Sequence, residues 1–103
     1  VISFTPLFFF SQINFIEMTT FNDLIFNKLP DGMGIQCRIK FPNGYGASIV
    51  KGPYTYGGRD GLFELAVLDS NDEIAYDTPI TDDVVGYLTE DGITALLAEI
   101  ELL

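Results

Sequence analysis

Histidine and tryptophan are absent from the 103 residues, cysteine occurs once, as Cys37, and only five side chains are basic. Without His, and with a single Cys, the chain cannot build a zinc site from nitrogen and sulfur ligands, a Ser-His-Asp or Cys-His pair, or an intramolecular disulfide. No cofactor motif is present, and most of the vocabulary of catalysis is missing. A carboxylate pair can catalyse hydrolysis without His, but no pair here is placed for it. What the chain does have is apolar content, 48% against 19% charged, the composition of one packed globular domain and not of a disordered chain.

The basic residues, Lys28, Arg38, Lys40, Lys51 and Arg59, all precede residue 60. Residues 60–103 hold twelve of the fifteen acids and no base, so that segment carries −12 while residues 1–59 carry +2. A surface of that sign repels nucleic-acid phosphates and anionic lipid, which disfavours nonspecific nucleic-acid and membrane binding, so that no direct nucleic-acid or membrane partner is expected and a basic protein is the electrostatic alternative. The plain alternative is acidic charge that serves solubility alone.

The chain opens at Val1, and residues 1–17 contain five Phe, including the run Leu7-Phe8-Phe9-Phe10. The segment lacks a basic region and a small-residue cleavage site, and Pro6, Ser11, Gln12 and Asn14 break it well short of the roughly 20 apolar residues of a spanning helix. We read Met18-Thr19-Thr20 as the natural start and 1–17 as an upstream extension or remnant. The rival reading is a hydrophobic arm that adds a strand or packs on a second copy, giving a homodimer. Residues 18–103 form the single domain.

Ile35-Gln36-Cys37-Arg38-Ile39-Lys40-Phe41 alternates strictly, and after Pro42-Asn43-Gly44 comes Tyr45-Gly46-Ala47-Ser48-Ile49-Val50, a β-hairpin. A two-residue loop would pair Ile39 with Ser48. A three-residue loop pairs Ile39 with Ala47 and Cys37 with Ile49, gathers the apolar side chains on one face, and suits a type I turn with Gly44 in the left-handed region. Gln36, Arg38, Lys40 and Ser48 then form a basic stripe on the other face. A second hairpin is expected from 62–68 and 73–77 around a four-residue turn, with Val67 facing Ile74, Leu65 facing Tyr76, and Glu64 beside Asp77. Residues 23–29 are a further strand candidate.

After Pro79 the pattern changes. Thr81 is expected to cap a short helix with Asp82 and Asp83 in its first turn and Val84, Val85 and Leu88 on one face. Thr89 is expected to cap a second helix, with Glu90 and Asp91 in its first turn and Ile93, Leu96, Leu97, Ile100 and Leu103 on one face. The fold class is therefore α+β: an antiparallel sheet of two or more hairpins followed by two C-terminal helices packed on one face.

Asp69-Ser70-Asn71-Asp72-Glu73 begins like a calcium loop but has Ile74 where Gly is needed and Ile80 where a chelating Glu belongs, so it reads as a turn and no metal site is expected. Residues 51–61 are the most function-like stretch. Gly57 and Gly58 allow close approach to an anion, Tyr54 and Tyr56 offer stacking faces, and Lys51 and Arg59 bracket the loop with charge. The same glycines are what a long connector needs. Cys37, on the apolar face, reads as a buried thiol. The acid pairs Asp82-Asp83 and Glu90-Asp91 read as helix-start charge or as part of an acidic binding edge.

Asn43-Gly44-Tyr45-Gly46-Ala47-Ser48, Gly52-Pro53-Tyr54-Thr55-Tyr56-Gly57-Gly58, Gly61-Leu62-Phe63-Glu64-Leu65-Ala66-Val67-Leu68 and Tyr76-Asp77-Thr78-Pro79-Ile80-Thr81-Asp82-Asp83-Val84 resemble small uncharacterised bacteriophage and prophage proteins over residues 18–103. The resemblance implies a cytoplasmic setting in a bacterial host and brings no activity or site residues. The expectation is a non-enzymatic accessory protein that binds a protein partner through its acidic half and the 51–61 loop. Two alternatives stand beside it: a DNA-mimicking inhibitor of a host nuclease or defence complex, and a small-ligand or nucleotide binder built on the loop.

Overall fold

The computed structural model describes residues 18–103, and the readings made for residues 1–17 lie outside the described residues. Five antiparallel strands follow one another across a single sheet in chain order: β1 (Asn27–Lys28), β2 (Ile35–Lys40), β3 (Gly46–Lys51), β4 (Phe63–Leu68) and β5 (Val85–Leu88). One helix, α1 (Glu90–Glu101), covers one face of it. The α+β class holds, with one C-terminal helix in place of the expected two.

The first hairpin takes the three-residue loop. Ile39 stands opposite Ala47 and Cys37 opposite Ile49. The Phe41 N–H donates to the Tyr45 carbonyl and the Gly44 N–H to the Phe41 carbonyl, with Gly44 at φ +94°, where a side chain is disfavoured. Asn43 holds this turn to the helix: its Oδ1 accepts the Tyr45 N–H at 3.0 Å, and its Nδ2 donates to the Ile100 carbonyl at 2.8 Å. That carbonyl lies in the last turn of α1 and also accepts the Leu103 N–H at 3.1 Å, so the Asn43 amide is its second donor.

The second hairpin departs from the expected register. Asp69 and Glu73 close a three-residue loop, Leu68 bridges Ile74, and the Ala75 N–H donates to the Val67 carbonyl. The Asp69 carboxylate accepts the N–H groups of Asn71 and Glu73, and Asp72 adopts φ +64°, which a short polar side chain tolerates. The result is the same turn as in the first hairpin, with Asp where that one has Gly. In consequence Ala75 is buried in the core, Tyr76 is 60% exposed, and Glu64 and Asp77 are not cross-strand neighbours. The 23–29 candidate shortens to β1, preceded by a 3-10 turn at Phe21–Asp23.

The expected helix after Thr81 is strand β5. Leu65 pairs with Val85 and Phe63 with Leu88, so two residues of β4 span three of β5 and a bulge lies between. Val85 and Leu88 thus share the core face although three residues apart, which is the spacing that suggested a helix. Val84, Val85 and Gly86 are also weak helix formers in a stretch too short to nucleate one. Asp82 and Asp83 accordingly lie in the exposed loop before β5. Thr81 Oγ1 accepts the Asp83 N–H at 3.0 Å, a capping bond with no helix behind it.

The core sits between sheet and helix. Ile49, Leu65 and Val67 from β3 and β4 meet Ile93, Leu97 and Ile100 from α1, all fully buried. Each such side chain contributes about 1.5–3 kcal/mol of transfer free energy. Thr89 Oγ1 accepts the Gly92 N–H at 3.1 Å and caps α1 as the sequence predicts. Phe21, Phe26 and Phe63 cluster at the β1 end with ring centroids 5.1–5.7 Å apart. Among the described residues no helix is long and apolar enough to cross a membrane.

Candidate functional site

The 51–61 segment is ordered by its own backbone. Gly52 and Thr55 exchange hydrogen bonds, the Gly52 N–H donating to Thr55 Oγ1 and that hydroxyl donating to the Gly52 carbonyl. The Gly58 N–H donates to Thr55, and the Asp60 and Leu62 N–H groups donate to the Gly57 carbonyl. Glu64, on β4, accepts the Tyr56 N–H at 2.9 Å. Most amides that could cradle a phosphate are therefore spent inside the loop.

Its two cations diverge. Lys51 Nζ lies 4.8 Å from the centre of the Phe63 ring, a cation–π contact, while Arg59 Nε donates to the Pro53 carbonyl. Gly58 is required by close packing, since a Cβ there would overlap the Gly52 carbonyl oxygen. The six residues nominated from this loop serve two ends: Lys51, Gly57, Gly58 and Arg59 build it, and Tyr54 and Tyr56 are left 78% and 61% exposed.

The loop is docked on β5. The Tyr87 N–H donates to the Tyr56 carbonyl at 3.0 Å, and Gly86 lies so close to Tyr56 that an added Cβ would stand 2.4 Å from Tyr56 Cβ. Tyr87 occupies the bulge at φ +56° and is 62% exposed. A non-glycine residue in that region is strained, and the strain turns a third tyrosine outward beside the loop.

The acids flank this aromatic surface along the chain. Asp82 and Asp83 precede β5, Glu90 and Asp91 follow it in the first turn of α1, and all four are exposed. The structure thus brings the loop to the strand that joins the acid pairs, with Tyr87 between those pairs along the chain and Tyr56 bonded to it. Tyr87 escapes sequence reading because it falls inside a segment with helical spacing.

Cys37, on β2, is buried, and burial pushes its thiol above the ordinary range, against a smaller opposing effect of a backbone hydrogen bond from Ile25. Among the described residues no group of three or more Cys, Asp or Glu side chains converges to hold a metal ion. No protein-family model, curated protein or solved structure matches the chain.

Proposed function

We propose that the protein is a non-enzymatic binding module of phage type, acting in a bacterial cytoplasm, whose working surface is formed by Tyr54, Tyr56 and Tyr87 and flanked by Asp82, Asp83, Glu90 and Asp91. The partner is a protein with a basic patch. The observation that carries this reading is the docking of the 51–61 loop on the β5 bulge, with Tyr56 bonded to Tyr87 and both rings exposed. Tyrosine supplies a large, stiff contact area and is enriched at binding hot spots. Its ring faces attract Lys and Arg, and carboxylates around the rim steer such a partner in.

This arrangement favours a protein partner over a DNA-mimicking role, because the exposed Tyr87 stands between the two acid pairs along the chain where a mimic needs a continuous row of carboxylates. It also favours a protein over a nucleotide in the 51–61 loop, most of whose amides are already bonded.

A pull-down from host lysate with the full chain tests the proposal. The wild type should retain a basic protein at low salt that Tyr54→Ser/Tyr56→Ser loses and that Asp82→Asn/Asp83→Asn/Glu90→Gln/Asp91→Gln holds more weakly. Equal retention by the folded tyrosine variant would overturn it.

A further inference from the structure

Of the five asparagines, Asn43 alone precedes a glycine; the others precede Phe15, Asp23, Lys28 and Asp72. An asparagine can be attacked at its side-chain Cγ by the main-chain nitrogen of the next residue, and a side chain on that residue crowds the approach. Gly44 has none. Asn43 is also exposed, at the tip of the first hairpin, where water and base reach it once the turn opens.

Three hydrogen bonds hold this reaction back. The Gly44 N–H donates to the Phe41 carbonyl at 3.0 Å, and that bond must open before base can take the proton and free the nitrogen to attack. Asn43 Oδ1 accepts the Tyr45 N–H at 3.0 Å and Nδ2 donates to the Ile100 carbonyl at 2.8 Å, so the carboxamide is clamped at both ends. Its nitrogen cannot leave while it is bonded to the helix.

We propose that Asn43 is a self-modification site, a one-way switch that runs at the rate at which the hairpin tip comes off α1 and then prevents its return. The Gly44 nitrogen bonds to Asn43 Cγ, the Cγ–Nδ2 bond breaks, and ammonia leaves with the proton given up by Gly44, closing a succinimide. Water, the one co-reactant, opens the ring at Cγ to give aspartate or at the Asn43 main-chain carbonyl carbon to give isoaspartate. Either product loses the Nδ2 donor and sets a carboxylate against the carbonyls of Ile100 and Leu103, at the negative end of the helix dipole. Isoaspartate also adds a methylene to the main chain of a three-residue loop whose register depends on its length.

Incubation of the full chain in mildly alkaline buffer, folded and in denaturant, with peptide mapping by mass spectrometry over time, tests this. The readout is the mass gained when an amide becomes an acid, which isomerisation at Asp31-Gly32, Asp60-Gly61 or Asp91-Gly92 does not produce. Asn43 should convert before the other four asparagines in both states, and at least about tenfold more slowly in the folded protein. Thr89→Ala, which loosens α1 at its far end, should speed the folded reaction severalfold and leave the denatured rate unchanged. The converted protein should melt at a lower temperature and exchange the Leu102 and Leu103 amides faster. Equal rates in the two states, another asparagine converting first, or a converted protein that melts like its parent would overturn the proposal. So would no folded conversion within about a hundred denatured half-lives, since the latch would then never open far enough to react.

Discussion

Asn43 joins the tip of the first hairpin to the end of α1 through one amide, accepting from Tyr45 and donating to Ile100. Asn43→Ala removes both bonds and should cost about 1–2 kcal/mol in chemical denaturation. Asn43→Asp should cost more, because it keeps the acceptor but sets a negative charge against the carbonyls at the helix C-terminus, where the dipole is already negative. Equal or greater stability of Asn43→Asp would show that the added charge does not act on the helix C-terminus.

Cys37 carries a pH prediction. Its thiol is held above its usual range mainly by burial, so the folded protein keeps the proton after the unfolded chain has lost it. The contribution is fully present below about pH 8.5 and is lost as pH rises beyond, the sign required when the unfolded state binds fewer protons. Stability of the wild type should therefore fall more steeply above pH 8.5 than that of Cys37→Ala, and a thiol reagent should label Cys37 only on unfolding. Cys37 is placed on the buried face from alternation alone. Tyr87 is not legible in the same way, since its exposure depends on a positive φ that no local residue pattern announces.

At the scale of elements, the first hairpin and α1 are readable in the sequence because each states its geometry twice. Alternation and a Pro-Asn-Gly turn agree on one register, and the Thr89 cap agrees with the apolar spacing that follows it. The segment 81–88 states its geometry once, and ambiguously. Val85 and Leu88 sit three apart in a helix and also on either side of a β-bulge, and what decides is the free edge of β4, a long-range fact. The outer edge of β4 is shared: β5 covers its first half and the 74–75 segment its second. Likewise Asp72 in the left-handed region shortens the second turn by one residue, which moves Tyr76 from the expected core to the surface.

Gly86→Ala tests the contact that joins loop to strand. Its Cβ would meet Tyr56 at 2.4 Å, so the loop must move or the bulge must open. The expected cost is about 1–3 kcal/mol, with faster amide exchange at Tyr56 and Tyr87. Unchanged exchange at both would mean the loop does not depend on β5.

For the whole molecule, twelve carboxylates and no base after residue 59, of which Asp72 alone forms an ion pair among the described residues, make repulsion a global term. Stability should rise from about 0.01 M to about 0.15 M salt as the Debye length falls from about 30 Å to about 8 Å. The acid pairs separate the causes. Asp82→Asn/Asp83→Asn relieves repulsion in a loop and should stabilise the protein at low salt. Glu90→Gln/Asp91→Gln relieves similar repulsion but removes charge from the helix start, where each carboxylate contributes about 0.3–1 kcal/mol, so its net gain should be smaller or reversed. Thermal melts of the two variants at both salt concentrations decide this.

The same distribution bears on binding, because acids lie at both ends of the molecule and exposed tyrosines beside only some of them. Asp69, Asp72, Glu73, Glu99 and Glu101 offer charge without the Tyr54, Tyr56 and Tyr87 surface. Chemical-shift mapping of the labelled full chain with an Arg-rich peptide therefore tests the central claim most directly. The account predicts saturable shifts concentrated at residues 54–58 and 82–91 that Tyr54→Ser/Tyr56→Ser abolishes. Shifts spread evenly over all the acids, undiminished in that variant, would contradict it.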